Sequence, residues 1–135
     1  MEKIRFAEVQ NLYEYEKVRE AFRRDIIALK RRRRVTVGDR LSLLFENRQT
    51  VLFQIQEMAR AERIVAETRV QDEIDVYNGL IPAPGELSAT MMIEIEDKAE
   101  IQPVLDGLMG IDSGEHVWLQ VGREFAIAGQ FEAGH

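Results

Sequence analysis

The stretch Leu41-Ser42-Leu43-Leu44-Phe45-Glu46-Asn47-Arg48-Gln49-Thr50-Val51-Leu52-Phe53-Gln54-Ile55-Gln56-Glu57-Met58 decides the fold, because its two halves read in different periods. Leu41–Phe45 is a short apolar run of strand length. Asn47 then stands where a helix N-cap belongs, its side chain able to accept from a free backbone N–H. From Arg48 to about Ala66 the apolar residues Val51, Ile55, Met58 and Val65 fall on one helical face, with Ala61 and Ile64 beside it. A competing period exists. Val51, Phe53 and Ile55 also alternate with Leu52, Gln54 and Gln56, which suits a hairpin partner for Leu41–Phe45 and a helix starting only at Glu57. The longer helix is the reading adopted.

Upstream, Leu12, Tyr15, Val18, Phe22, Ile26 and Leu29 mark one stripe of an amphipathic helix running to about Arg32, while residues 1–11 have no clear period. Val35-Thr36-Val37 is β-branched and precedes a Gly38-Asp39 turn signal. Downstream, Val70 to Leu80 reads as a short helix ended by Pro82-Ala83-Pro84-Gly85. Leu87, Ala89, Met91, Ile93 and Ile95 then alternate strictly with Ser88, Thr90, Met92, Glu94 and Glu96, which predicts a strand with one buried face. A short helix from Glu100 follows, with Ile101, Val104, Leu105 and Leu108 inward, closed by Gly110. Val117, Leu119 and Val121 turn through Gly122-Arg123 into Phe125–Ala128, a hairpin. The expectation is one α+β domain over residues 1–135: a mostly antiparallel sheet of four to five strands with helices packed on one face.

The chain has 135 residues, of which 45% are hydrophobic and 31% charged, so a core of useful size is possible. No apolar run approaches the roughly 20 residues of a membrane span, and Met1–Arg5 lacks the apolar stretch of a secretory signal. With no cysteine, disulfides, thiolate metal sites, iron–sulfur ligation and cysteine nucleophiles are excluded. The net charge of −6 hides an asymmetry. Residues 1–48 hold 13 Lys/Arg against 8 Asp/Glu, and residues 49–135 hold 5 against 16. The front is thus +5 and the rear −11, which can mean a surface for nucleic acid or an acidic partner on one half, and can equally mean that the two halves attract each other, within one molecule or across a homodimer.

Several segments resemble a bacterial family without assigned function. They are Ile27–Val35, Leu43–Arg48, Phe53–Met58 with Arg60 to Ile64, Gln71-Asp72-Glu73, Tyr77-Asn78, Leu80-Ile81-Pro82 and Val117–Gly122. This resembles the domain-of-unknown-function family numbered 3501, over most of the chain from about Leu12 to Gly129. The resemblance carries no activity and no cofactor. It implies a cytoplasmic accessory role beside rubrerythrin-like or iron–sulfur redox proteins, whose genes sit near those of the family. Its members run on past the hairpin, which implies a further C-terminal element.

The densest polar cluster is Glu46, Asn47, Arg48, Gln54, Gln56, Glu57, Arg60, Glu62 and Arg63. On one helix Gln56, Glu57 and Arg60 can meet at three- and four-residue spacing. One reading is a pocket, with Arg48 and Arg60 gripping a small anion and Glu57 as a base. The blander reading is a structural network of ion pairs. Arg31, Arg32, Arg33 and Arg34 form a candidate interaction surface after Lys30. Nucleic acid is not the expected partner, since no recognition signature accompanies them and the chain is acidic. Glu94, Glu96 and His116 are too few for a metal site to be expected, and Ser42, Ser88 and Ser113 have no activating motif. Trp118 and Tyr77 suit the lining of a ligand site or an interface, though more often such residues finish a small core. The expected protein is a small binding protein, homodimeric, with a redox protein partner. The alternative is an enzyme or anion binder using Arg48, Glu57 and Arg60.

Overall fold

The computed structural model describes residues 1–112 and 116–132. Ser113 and the Ala133–His135 end therefore lie outside the described residues. The chain forms two compact units, Met1–Glu94 and Ile95–His135.

In the first unit, helix α1 spans Leu12–Arg33 and is followed by β1 (Arg34–Val37), β2 (Leu41–Phe45), α2 (Arg48–Ala61), α3 (Glu67–Tyr77) and β3 (Ala89–Ile93). The Asn11 side chain caps α1 by accepting from the Glu14 N–H at 2.9 Å. Lys30 to Arg33 occupy its last turn, where cations suit the negative end of the helix dipole. Asn47 caps α2 reciprocally. Its side chain accepts from the Thr50 N–H, and the Thr50 hydroxyl accepts from the Asn47 N–H, both at 2.9 Å. This local lock favours helix over the alternating hairpin reading of residues 51–56, and the helix buries Val51, Ile55 and Ala59. It stops at Ala61 instead of the expected Ala66. Arg63 adopts a left-handed φ of 50°. The Ile64 N–H reaches back to the Ala59 carbonyl at 2.9 Å and the Arg63 N–H to Arg60 at 3.3 Å, a Schellman ending. The reversal buries Ile64.

The core gathers Val51 and Ile55 of α2, Ile74 of α3, Ile81 after it and Ile4 from the irregular N-terminus. Ile4 had no periodic signal. A side-chain amide holds it there: Asn78 Oδ1 accepts from the Ile4 N–H at 2.8 Å, and Asn78 Nδ2 donates to the Ile4 carbonyl at 3.0 Å. Gln56, itself buried, grips the backbone of Gln10 with the same two-bond geometry, at 2.7 and 3.0 Å. Each amide supplies the donor and acceptor that a neighbouring strand would otherwise provide.

Strands β1, β2 and β3 form an antiparallel sheet in that order. Partners directly opposite in such a sheet share a face. Val35 pairs with Leu43, Val37 with Leu41, Leu41 with Ile93, Leu43 with Met91 and Phe45 with Ala89. All eight side chains on that face are therefore apolar, as the alternation predicts. The expected burial does not follow. Ser42 and Leu44, on the opposite face, are the buried residues of β2, and α1 packs against this strand. On the apolar face Val35 and Val37 are each 48% exposed and Ile93 is 39% exposed.

In the second unit a short helix, α4 (Ile101–Gly107), precedes a hairpin of β4 (Trp118–Val121) and β5 (Phe125–Ala128). Gly122 turns it with a φ of 63°, a value that favours glycine. Val104 and Leu108 are partly buried, but Ile101 and Leu105 are exposed and do not point inward as expected. The single sheet of four to five strands is thus corrected. Among the described residues there are two antiparallel sheets, of three and two strands. The hairpin turn supplies β4 with a partner three residues away, at far less chain entropy than pairing with β3.

Candidate functional site

Helix α2 carries the predicted polar cluster, and its interface with α1 and the N-terminus decides what that cluster can do. Glu57 lies opposite Arg19 of α1. The guanidinium donates to both carboxylate oxygens, at 2.8 and 2.9 Å, and the Tyr15 hydroxyl donates at 2.7 Å. Arg19 holds the Glu57 carboxyl below the ordinary carboxylate range, helped by Tyr15. Burial, then the adjacent Glu57, pushes the Tyr15 phenol upward. Arg60 pairs with Glu16, one turn closer to the start of α1. Arg48, at the other end of α2, pairs with Glu8 and also donates to the carbonyls of Glu2 and Lys3 at 3.0 and 3.4 Å. Its guanidinium draws the Glu8 carboxyl below the ordinary value.

Glu57 and Arg60 are thus neighbours, and Arg60 contributes to the field at Glu57. Arg48 is about 13 Å away along the helix axis and joins a different ion pair. Gln56 is spent on the Gln10 backbone and Asn47 on its cap. Glu46 is buried in a third place, at 3% exposure. Its carboxylate accepts from the hydroxyls of Thr50 and Thr90, the latter at 2.8 Å. The six candidate pocket residues therefore divide among three locations.

A cleft of about 250 Å³ does open beside this seam, lined by Tyr15, Val18, Phe22, Asp25, Leu52 and Gln56 among others. Its ionisable lining is Glu8, Asp25 and Tyr15. Sequence reasoning missed it because Val18 and Phe22 look like plain core positions of the α1 stripe. Phe22 instead sits in a chain of rings, edge-on to Tyr15 at 6.3 Å and tilted against Phe53 at 5.6 Å. Lys30 lies over Phe53 at 5.3 Å.

The arginine run splits. Arg33 turns in and donates to the carbonyls of Phe45 and Glu46, at 2.7 and 3.3 Å. Arg31, Arg32 and Arg34 are exposed, and their side chains meet no carboxylate among the described residues. Glu94 accepts from the Ser42 hydroxyl at 3.1 Å. No group of three or more potential metal-ligating residues occurs among the described residues. No helix there is long and apolar enough to cross a membrane.

None of the curated proteins matches this chain. It is similar to a protein of unknown function from Burkholderia pseudomallei K96243, whose crystal structure was solved at 1.90 Å. The two are 35% identical with a TM-score of 0.84, over 93% of this chain and 70% of that one. A family model described as "Protein of unknown function (DUF3501)" matches residues 3–135. The chain belongs to the DUF3501 family.

Proposed function

We propose that this is a small cytoplasmic accessory protein that binds a protein partner and performs no chemistry alone. The observation that carries this reading is the state of its polar cluster. Arg48, Glu57 and Arg60 each already hold an oppositely charged partner from the N-terminal segment or α1. A base held to its conjugate acid form's disadvantage by a bidentate arginine is a poor proton acceptor, and two arginines already paired are poor anion grips. The exposed apolar and cationic surfaces are what remain available for binding. The partner class is a rubrerythrin-like or iron–sulfur redox protein, a suggestion that rests on the family resemblance. The working assembly is a homodimer.

Affinity purification from the native host, with mass spectrometry and sedimentation of the isolated chain, tests this. Recovery of a redox partner and a dimeric mass are the expected results. A clean purification without any such partner sinks the redox role, and a monomer at all concentrations sinks the dimer. The alternative, an enzyme or small-anion binder around Arg48, Glu57 and Arg60, needs those pairs to open. It would gain support if phosphate or sulfate raised Tm in the wild type but not in Arg60→Ala.

A further inference from the structure

We propose that the edge of β1 is a docking site for an extended acidic segment of a partner protein, one that alternates carboxylates with apolar residues. The proposal rests on the binding-protein reading and names the chemistry its partner would show. Three observations meet at this edge. First, β1 pairs on one side only, with β2, so its other edge is open among the described residues. An added strand could take up those backbone donors and acceptors. Second, all four residues of β1 are exposed. Val35 and Val37 stand on the apolar face of the sheet at 48% exposure each. Side chains alternating along an added strand would meet them on that face. Third, Arg31, Arg32 and Arg34 lie at the junction of α1 and β1, with no carboxylate partner among the described residues. The charge asks for an anion, and the valines ask for something apolar between its charges.

That combination selects among occupants. A second copy meeting β1 edge to edge across a two-fold axis would run antiparallel and, over its residues 31–39, would offer these three arginines one carboxylate, that of Asp39, where an alternating acidic strand offers several. A nucleic acid would satisfy the guanidinium groups but leave the valines facing phosphates. The exposed Tyr13 of α1 is about 27 Å along the helix from Arg31, too far to stack a base held at this site.

The test is an eight-residue peptide alternating glutamate and valine, titrated into the full chain and followed by amide NMR shifts and fluorescence anisotropy. Glutamate octapeptide, a 12-base-pair duplex and phosphatidylserine vesicles serve as comparison probes. The expected result is binding of the alternating peptide above all others, with shifts centred on Arg34–Val37. The triple variant Arg31→Glu, Arg32→Glu, Arg34→Glu should weaken it by about tenfold. The double variant Val35→Ser, Val37→Ser should also weaken it by about tenfold. Both variants should stay folded, with the triple variant melting somewhat lower because glutamates replace cations at the negative end of the α1 dipole. Preference for the duplex or the vesicles overturns the proposal in favour of a polyanion or a lipid surface. Equal binding of the glutamate octapeptide shows that charge alone acts and overturns it as well. Concentration-dependent dimerisation lost in the valine variant would hand the surface to a second copy. If the triple variant captures the native redox partner as well as the wild type does, this surface fails while the accessory reading stands. If neither captures one, the redox reading fails whatever the peptide does.

Discussion

Helix α2 and strand β3 carry apolar residues at equally regular spacing, yet they end in opposite environments. Val51 and Ile55 are fully buried, at 0% exposure. Ile93 is 39% exposed, and no residue of β3 is fully buried. Periodicity fixes which side chains share a face. It does not say whether a second surface arrives to cover that face. For α2 the cover is supplied by α3 and by an N-terminal segment pinned through Asn78 and Gln56. For the sheet, the helix-packed side is the one holding Ser42 and Leu44.

The comparison is most sharply tested in the core. Ile55→Ala should cost about 2–5 kcal/mol in denaturant unfolding, because it removes buried methylenes and leaves a cavity. Thr90→Val comes next, at about 1–3 kcal/mol, since the buried Glu46 carboxylate would lose one of its two hydroxyl donors. An unchanged midpoint would mean that water already serves that oxygen.

Glu57→Gln should cost about 1–2 kcal/mol at neutral pH by weakening the contacts to Arg19 and Tyr15. The pH dependence gives a second readout. The folded-state carboxyl titrates below its ordinary 4.5. Its contribution is therefore complete above that value and is lost as pH falls through the folded-state value. The acid limb of the stability curve should be shallower in Glu57→Gln than in the wild type. Tyr15 gives the opposite limb. Its phenol titrates above the ordinary 10.0, so the unfolded chain releases that proton first. Stability falls as pH rises past 10, and Tyr15→Phe should make that limb shallower, leaving the part due to Tyr77, whose phenol burial also pushes up. An alkaline limb unchanged in the variant would place Tyr15 outside the seam. The smallest effect is expected at the sheet. Ile93→Ser should change stability by about 0.5 kcal/mol or less in the isolated chain. A cost near that of Ile55→Ala would break the comparison and show the apolar face to be covered.

Much of the fold was legible before any coordinates. Helix α1, strands β1 and β2, the Asn47 cap and the terminal hairpin all follow from spacing and turn chemistry within a dozen or so residues. The candidate site was legible only as a list. Gln56, Glu57 and Arg60 do share a stretch of α2, but Arg48 and Glu46 are drawn to separate partners. Those partners, Glu8, Glu16, Arg19 and Thr90, come from distant positions whose pairing leaves no local signature. The Schellman ending at Arg63 was missed because the residue there is not glycine.

By itself, the order of residues determined the types of element, the faces they present, the absence of thiol chemistry and the charge imbalance between front and rear. These are properties of neighbours a few positions apart, where steric preference and hydrogen-bond capping act without help from the rest of the chain. The tertiary structure alone decided that Ile4 is core, that the strands divide into two sheets, that the polar cluster is consumed by ion pairs, and that Arg33 is engaged while Arg31, Arg32 and Arg34 are not. Each of these depends on which distant surfaces meet, and that choice is made by the balance of burial, desolvation and chain entropy over the whole fold.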